Sequence, residues 1–205
     1  MKHKKKPTEV FGEWAQTGKD EGMETNHRTA VENMLAYAVP QNDPFSFIDA
    51  GCGNGWVVRE VSQHPQCQSA IGVDGAPEMI EKAQHLDPNN TYILTDLLGW
   101  SPQQKVGLVH SMEVFYYLEQ PLLLIQHIFD QWLTNGGRLI IGLDFYQENT
   151  VSHSWPDDCG IAIMTLLSER QWLDLFQQAG FSEIKSWRVG AKENWTGTLV
   201  VTGIK

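Results

Sequence analysis

Phe47-Ile48-Asp49-Ala50-Gly51-Cys52-Gly53-Asn54-Gly55 is the stretch on which the reading of this chain turns. An apolar run from Phe45 ends in an acid, three glycines follow at every second position, and an apolar helical pattern opens over Gly55 to Gln63. Strand, bare turn and helix start, in that order, bring free backbone N–H groups to one point. Residues without Cβ atoms let a ligand lie against the main chain, and the acid at the strand end can answer a cation. The spacing is not the dinucleotide fingerprint G-x-G-x-x-G, because Trp56 stands where its third glycine belongs.

Two further acids extend the pattern. Ala70-Ile71-Gly72-Val73 reads as a second strand that ends at Asp74, at the distance from the glycines where a carboxylate accepts from ribose hydroxyls. Thr91 to Leu94 reads as a third strand delivering Asp96 and Leu97, and an acid followed by a backbone N–H suits the amine edge of an adenine. Pro77, Met79, Ile80 and Ala83 make the helix between them, stopped before Asp87-Pro88.

With these motifs in order, the chain resembles the class I S-adenosylmethionine-dependent methyltransferases, in particular the group acting on small molecules. The resemblance covers Phe45 to the C-terminus. It rests on the D-x-G-x-G-x-G run at Asp49 to Gly55, the Gly72 to Ala83 block, Gly136-Gly137 before a fifth strand, and a late helix ending in Ala179-Gly180-Phe181. It implies an α/β fold: a Rossmann-like, doubly wound, seven-stranded, mainly parallel sheet with the last strand antiparallel and helices on both faces. It also implies S-adenosyl-L-methionine as cofactor. The methionine end would lie against Asp49, Ala50, Gly51, Cys52 and Gly53, the ribose at Asp74 and Gly75, and the adenine at Asp96 and Leu97. Ser111 and Met112 would border the methyl that is transferred.

The acceptor side is read from several segments. Trp14, Met23 and His27 are expected to help close the pocket ahead of the first strand, and Tyr116 and Tyr117 to face acceptor or core. The stretch from Asp144 to Leu166, with Tyr146 and Trp155, loses periodicity and is the expected seat of specificity. For a hydroxyl acceptor, His110, Glu113, Asp144 or His153 would take the proton. No spacing of ligand-type residues supports a metal. The Asn-Pro-Pro-Tyr type motif of amino-group methyltransferases acting on DNA or protein is absent after strand four, where His110-Ser111-Met112-Glu113 stands.

The remaining elements follow from pattern. A helix is expected from Thr25 or Asn26 to Ala38, strand four over Val106 to Met112, and a long amphipathic helix from Pro121 to Asn135. Strand five spans Arg138 to Asp144, Ser168 to Gln171 has the form of a capping box, and Glu183 to Val189 and Trp195 to Ile204 are the last strands.

At 205 residues and 41% hydrophobic content the chain suits one domain: a solvated tail over 1–9, a helical cap over 10–40 and the core over 45–205. A net charge of −10 disfavours nucleic acid and favours a small-molecule partner. Three scattered cysteines read as free thiols, and no apolar run suits a membrane or a secretory leader, so a cytoplasmic monomer or homodimer is expected. Two alternatives stand beside the main reading. One is a non-catalytic binding module. The other is an NAD(P)-dependent oxidoreductase, disfavoured by Trp56 and by the lack of a Tyr-x-x-x-Lys pair after strand four.

Overall fold

The computed structural model describes residues 4–205. Two helices precede the sheet, α1 (Pro7–Thr17) and α2 (Glu21–Ala38). The tail expected over 1–9 is corrected from residue 4 onward, residues 1–3 lying outside the described chain. Pro7 takes the first helical position of α1, and Glu9 accepts from the Lys6 N–H at 2.8 Å, so the helix starts inside the expected tail. Lys5 then bridges to the far side of the fold, donating from N to Gly160 O at 2.9 Å and accepting from Ala162 N at 2.8 Å. Helix α2 begins earlier than expected, because Glu21 and Glu24 place negative charge in its first turn.

The strands are β1 (Phe45–Ala50), β2 (Cys67–Asp74), β3 (Thr91–Leu94), β4 (Val106–Met112), β5 (Leu133–Leu143), β6 (Ser182–Val189) and β7 (Thr198–Ile204). They form one seven-stranded sheet in the order β3-β2-β1-β4-β5-β7-β6. Neighbours from β3 to β5 run parallel, and β7 is antiparallel to both β5 and β6. The order reverses between β1 and β4, so their carboxyl ends open a crevice at the switch point.

Helices cover both faces. On one side Leu124, Ile128, Trp132, Trp172 and Phe176 pack on β4, β5 and β7. On the other Val31, Met34, Val57, Val58 and Ile80 pack on β1 and β4. They belong to α2, α3 (Trp56–Val61), α4 (Pro77–Leu86), α5 (Pro121–His127), the π-helical turn that follows it and α7 (Glu169–Gln178); α6 (Trp155–Asp158) is a single turn in the late loop. Burying both faces is what makes the inner strands read as continuous apolar runs rather than alternating ones.

The long helix expected to Asn135 divides differently. Helix α5 continues as a π-helical turn over Ile128–Trp132, and β5 starts at Leu133, paired with Val106. The wide turn buries Trp132, whose indole N–H donates to Trp100 O at 3.0 Å. The capping box at Ser168 and Gln171 is present in α7. No described helix is long and apolar enough to cross a membrane.

Candidate active site

The glycine turn after β1 divides its work between fold and ligand. Gly51, Gly53 and Gly55 all have positive φ, at 77°, 53° and 79°. A Cβ on Gly51 would sit 2.2 Å from Val114 Cγ2 and one on Gly55 2.4 Å from Tyr92 Cε1, so those two are glycine because the protein itself packs there. A Cβ on Gly53 would meet nothing closer than Met79 Sδ at 3.8 Å. Gly53 alone leaves open space towards the crevice.

Asp74, at the tip of β2, ties this turn down. Its Oδ2 accepts from Gly53 N at 2.9 Å and its Oδ1 from Ala76 N at 2.8 Å. Burial pushes its carboxyl up, and the two N–H groups oppose that shift. A cavity of about 500 Å³ runs over Gly53, Asp74, Gly75, Asp96, Leu97 and Met112, along the tips of β1 to β4. Asp96 accepts from Leu98 N at 3.1 Å. Helix α1 roofs this cavity with Pro7, Thr8 and Phe11.

A smaller hollow of about 40 Å³ holds Asp49, Gly51, Cys52, Asn54 and His27. Asp49 Oδ1 accepts from His110 Nδ1 at 2.7 Å. Asp20, not foreseen as part of the site, accepts from Asn54 Nδ2 at 2.8 Å and from Lys82 Nζ at 2.9 Å, fixing α2 to the glycine turn. Burial raises the Cys52 thiol well above its ordinary pKa, which keeps it protonated and a poor nucleophile.

A third cavity, about 380 Å³, opens between α1, α2 and the late loop. Trp14, Tyr117 and Trp155 line it with Phe11, and His27 and Glu113 reach it from below. Glu113 also borders the crevice over Asp74 and Asp96, so it stands where the two spaces meet.

The chemistry gathers at that junction. Glu113 has φ 61°, is buried, and accepts from Asp144 N at 2.5 Å and from the Tyr116 hydroxyl. Burial lifts its carboxyl well above the ordinary range, with Asp144 adding to the effect. Burial lifts Asp144 to about 6. It lowers His27, whose Nε2 is 3.7 Å from Asp144 Oδ2, to about 4. His27, Glu113 and Asp144 each bring one donor atom within 4.8 Å of the others, a cluster that sequence spacing gave no reason to expect.

Other candidate residues lie off these cavities. His110 is buried against Phe47 and serves Asp49, so as a proton acceptor for the acceptor molecule it is corrected: no open space reaches it. His153 is exposed and packs edge-on to Phe145. Ser111 Oγ donates to Ala50 O at 2.6 Å, a strand-to-strand tie between two buried residues. Tyr116 is core and supports Glu113. Tyr146 is core too, its hydroxyl donating to Gly197 O at 2.8 Å.

Comparison with known proteins agrees with this geometry. The model of a methyltransferase domain family matches residues 21–186. The trans-aconitate 2-methyltransferase of Agrobacterium fabrum is 28% identical over 76% of this chain and 57% of its own length. The chain thus spans about half the length of the curated relatives it matches. Among solved structures, a chain of the complex between the Haloferax volcanii Trm112 methyltransferase activator and the methyltransferase it binds superposes with a TM-score of 0.84 at 25% identity, covering 95% of this chain and 96% of that one. The N-methyltransferase NodS of Bradyrhizobium japonicum, solved with S-adenosyl-L-homocysteine, superposes with a TM-score of 0.66 at 16% identity, covering 89% and 86%.

Proposed function

Since this chain belongs to the methyltransferase domain family, we propose that it transfers a methyl group from S-adenosylmethionine to a small-molecule acceptor, in the cytoplasm. The observation that carries the proposal is the crevice at the tips of β1 to β3: lined by bare backbone at Gly51, Gly53 and Gly75, and flanked by Asp74 and by Asp96 with Leu97. Those residues fit an adenosyl group. Asp74 keeps lone pairs free for ribose hydroxyls beyond its two backbone partners, and Asp96 with the Leu97 backbone offers an acceptor and a donor to adenine.

When bound, S-adenosylmethionine supplies a methyl already activated by its positive sulfur. The protein then has to align the acceptor and keep water out, and such positioning is worth roughly 7–11 kcal/mol of barrier. Met23, Glu113 and Tyr117 line both cavities and fix where they join. Phe11, packed on Tyr117 with ring centroids 5.2 Å apart, closes the junction from above.

Trans-aconitate, the acceptor in the Agrobacterium relative's name, is a tricarboxylate. On the third cavity the described cation is Lys19, already seated 3.7 Å over the Trp14 ring. Two buried carboxyls, Glu113 and Asp144, stand at the cavity floor or beside it, so we propose a different acceptor for this chain. Titration calorimetry with S-adenosylhomocysteine and NAD tests the cofactor reading. Binding of S-adenosylhomocysteine and not NAD is expected; binding of NAD alone overturns it.

A further inference from the structure

We propose, resting on the cofactor reading above, that the acceptor is a small aromatic amine, which enters the third cavity as its ammonium ion with the nitrogen turned towards Glu113 and Asp144.

The walls of that cavity are aromatic. Phe11, Trp14, Tyr117 and Trp155 line it, and ring faces attract a cation as well as another ring. Its floor is acidic and lacks a counter-charge. Glu113 accepts from a backbone N–H and from the Tyr116 hydroxyl, both neutral donors. Asp144 is 5% exposed; its buried Oδ1 has no hydrogen-bond partner among the described residues, and the side chain that hydrogen-bonds the carboxyl is the neutral Thr198. The basic group facing it is His27, which burial keeps neutral at physiological pH. Two adjacent buried carboxyls without an Arg or Lys partner are costly, and a bound ammonium would relieve that cost. A carboxylate acceptor would add to it.

A metal ion would answer the same charge, through the cluster of His27, Glu113 and Asp144. It would not fill about 380 Å³ of ring-lined space, which calls for an organic body.

The step balances as follows. The ammonium gives one proton to the Asp144 carboxylate, the more basic member of the His27–Asp144 pair, whose His27 ring lines the cavity. The freed nitrogen lone pair forms the N–C bond to the methyl as the C–S bond breaks. That bonding pair stays on sulfur, leaving a neutral thioether and a secondary ammonium product.

Three probes share one ring and one chain length and differ only in charge: 2-phenylethylamine, 2-phenylethanol and 3-phenylpropanoate. Each is titrated by calorimetry into the full chain saturated with S-adenosylhomocysteine. The amine is expected to bind at least tenfold more tightly than the alcohol, and the carboxylate not at all. Asp144→Asn should remove most of the amine's advantage while S-adenosylhomocysteine affinity stays within twofold, which also shows that the variant is folded. Trp155→Leu should weaken amine and alcohol alike and leave their ratio intact. Equal or better binding of the alcohol or carboxylate, no binding by any probe, or an unchanged amine preference in Asp144→Asn overturns the amine assignment alone. So does stoichiometric binding of magnesium chloride that Asp144→Asn abolishes. Absence of S-adenosylhomocysteine binding overturns the cofactor reading instead, and this inference with it.

Discussion

His27 Nε2 stands 3.7 Å from Asp144 Oδ2, and burial moves the two groups in opposite directions, the imidazole down to about 4 and the carboxyl up to about 6. At neutral pH the pair is therefore an uncharged ring beside a buried anion, not an ion pair. That is an unusual arrangement to keep in a fold, and it carries a measurable stability cost.

Asp144 holds its proton more tightly folded than unfolded, so it weakens the fold as pH rises from about 4 through about 6. His27 resists protonation when folded and weakens the fold as pH falls from 6.5 through about 4. Asp144→Asn removes the first effect only. Urea unfolding should show the variant more stable than the parent by about 1–3 kcal/mol at pH 8, with the difference vanishing near pH 4.

Gly51→Ala and Gly53→Ala place the same methyl on left-handed backbone with opposite results. At position 51 it meets Val114 at 2.2 Å, and overpacking adds roughly 1–3 kcal/mol to the backbone strain of about 1–2 kcal/mol. At position 53 it meets only Met79 Sδ at an ordinary 3.8 Å, so the fold should lose about 1–2 kcal/mol through strain alone. Thermal unfolding should rank 51 as the worse folder, and calorimetry should find that the folded Gly53 variant has lost S-adenosylhomocysteine.

Asp74→Ala should weaken S-adenosylhomocysteine by about 1–3 kcal/mol, a loss of roughly 5- to 150-fold, since it removes a buried carboxylate that also orders the Gly53 and Ala76 amides. Asp96→Ala, at a site with a single Leu98 N–H tie and more solvent, should cost less, about 0.5–1.5 kcal/mol. Unchanged affinity in both variants would remove the adenosyl group from this crevice.

Tyr116→Phe takes away the hydroxyl that holds Glu113, whose carboxyl burial already raises. Its pKa should rise further. Stability should fall by about 1–3 kcal/mol at pH 8 and by less at pH 5, because the lost hydroxyl hydrogen bond favours the ionised carboxyl. Equal losses at the two pH values would show that Glu113 is neutral throughout.

The crevice was legible in the sequence because it is built from strand tips, and each tip is a local pattern: an apolar run, then Asp49, Asp74 or Asp96. The count of seven strands and the antiparallel β7 followed from the resemblance rather than from periodicity, while the strand order came from the structure. What escaped notice depends on pairing across distance. His110 looked like a free base because nothing in its own stretch shows that Asp49, on the neighbouring strand, accepts a hydrogen bond from its Nδ1. Tyr146 looked like a specificity residue in an irregular loop, yet its hydroxyl reaches Gly197 and the side chain is core. The cluster of His27, Glu113 and Asp144 draws on α2 and the ends of β4 and β5, and no spacing along one segment could reveal it. The start of α1 was hidden by its lysines, which suggested a tail although Pro7 and Glu9 are good first-turn residues.

Helix α1 covers the crevice with Pro7, Thr8 and Phe11 and the aromatic cavity with Phe11 and Trp14. It is held at one end by the Lys5 bridge to Ile161 and along its side by Gly12 and Gln16 against Glu78. In the proposed reaction both reactants would lie beneath the same 11-residue helix. Neither space could then be sealed or opened without the other.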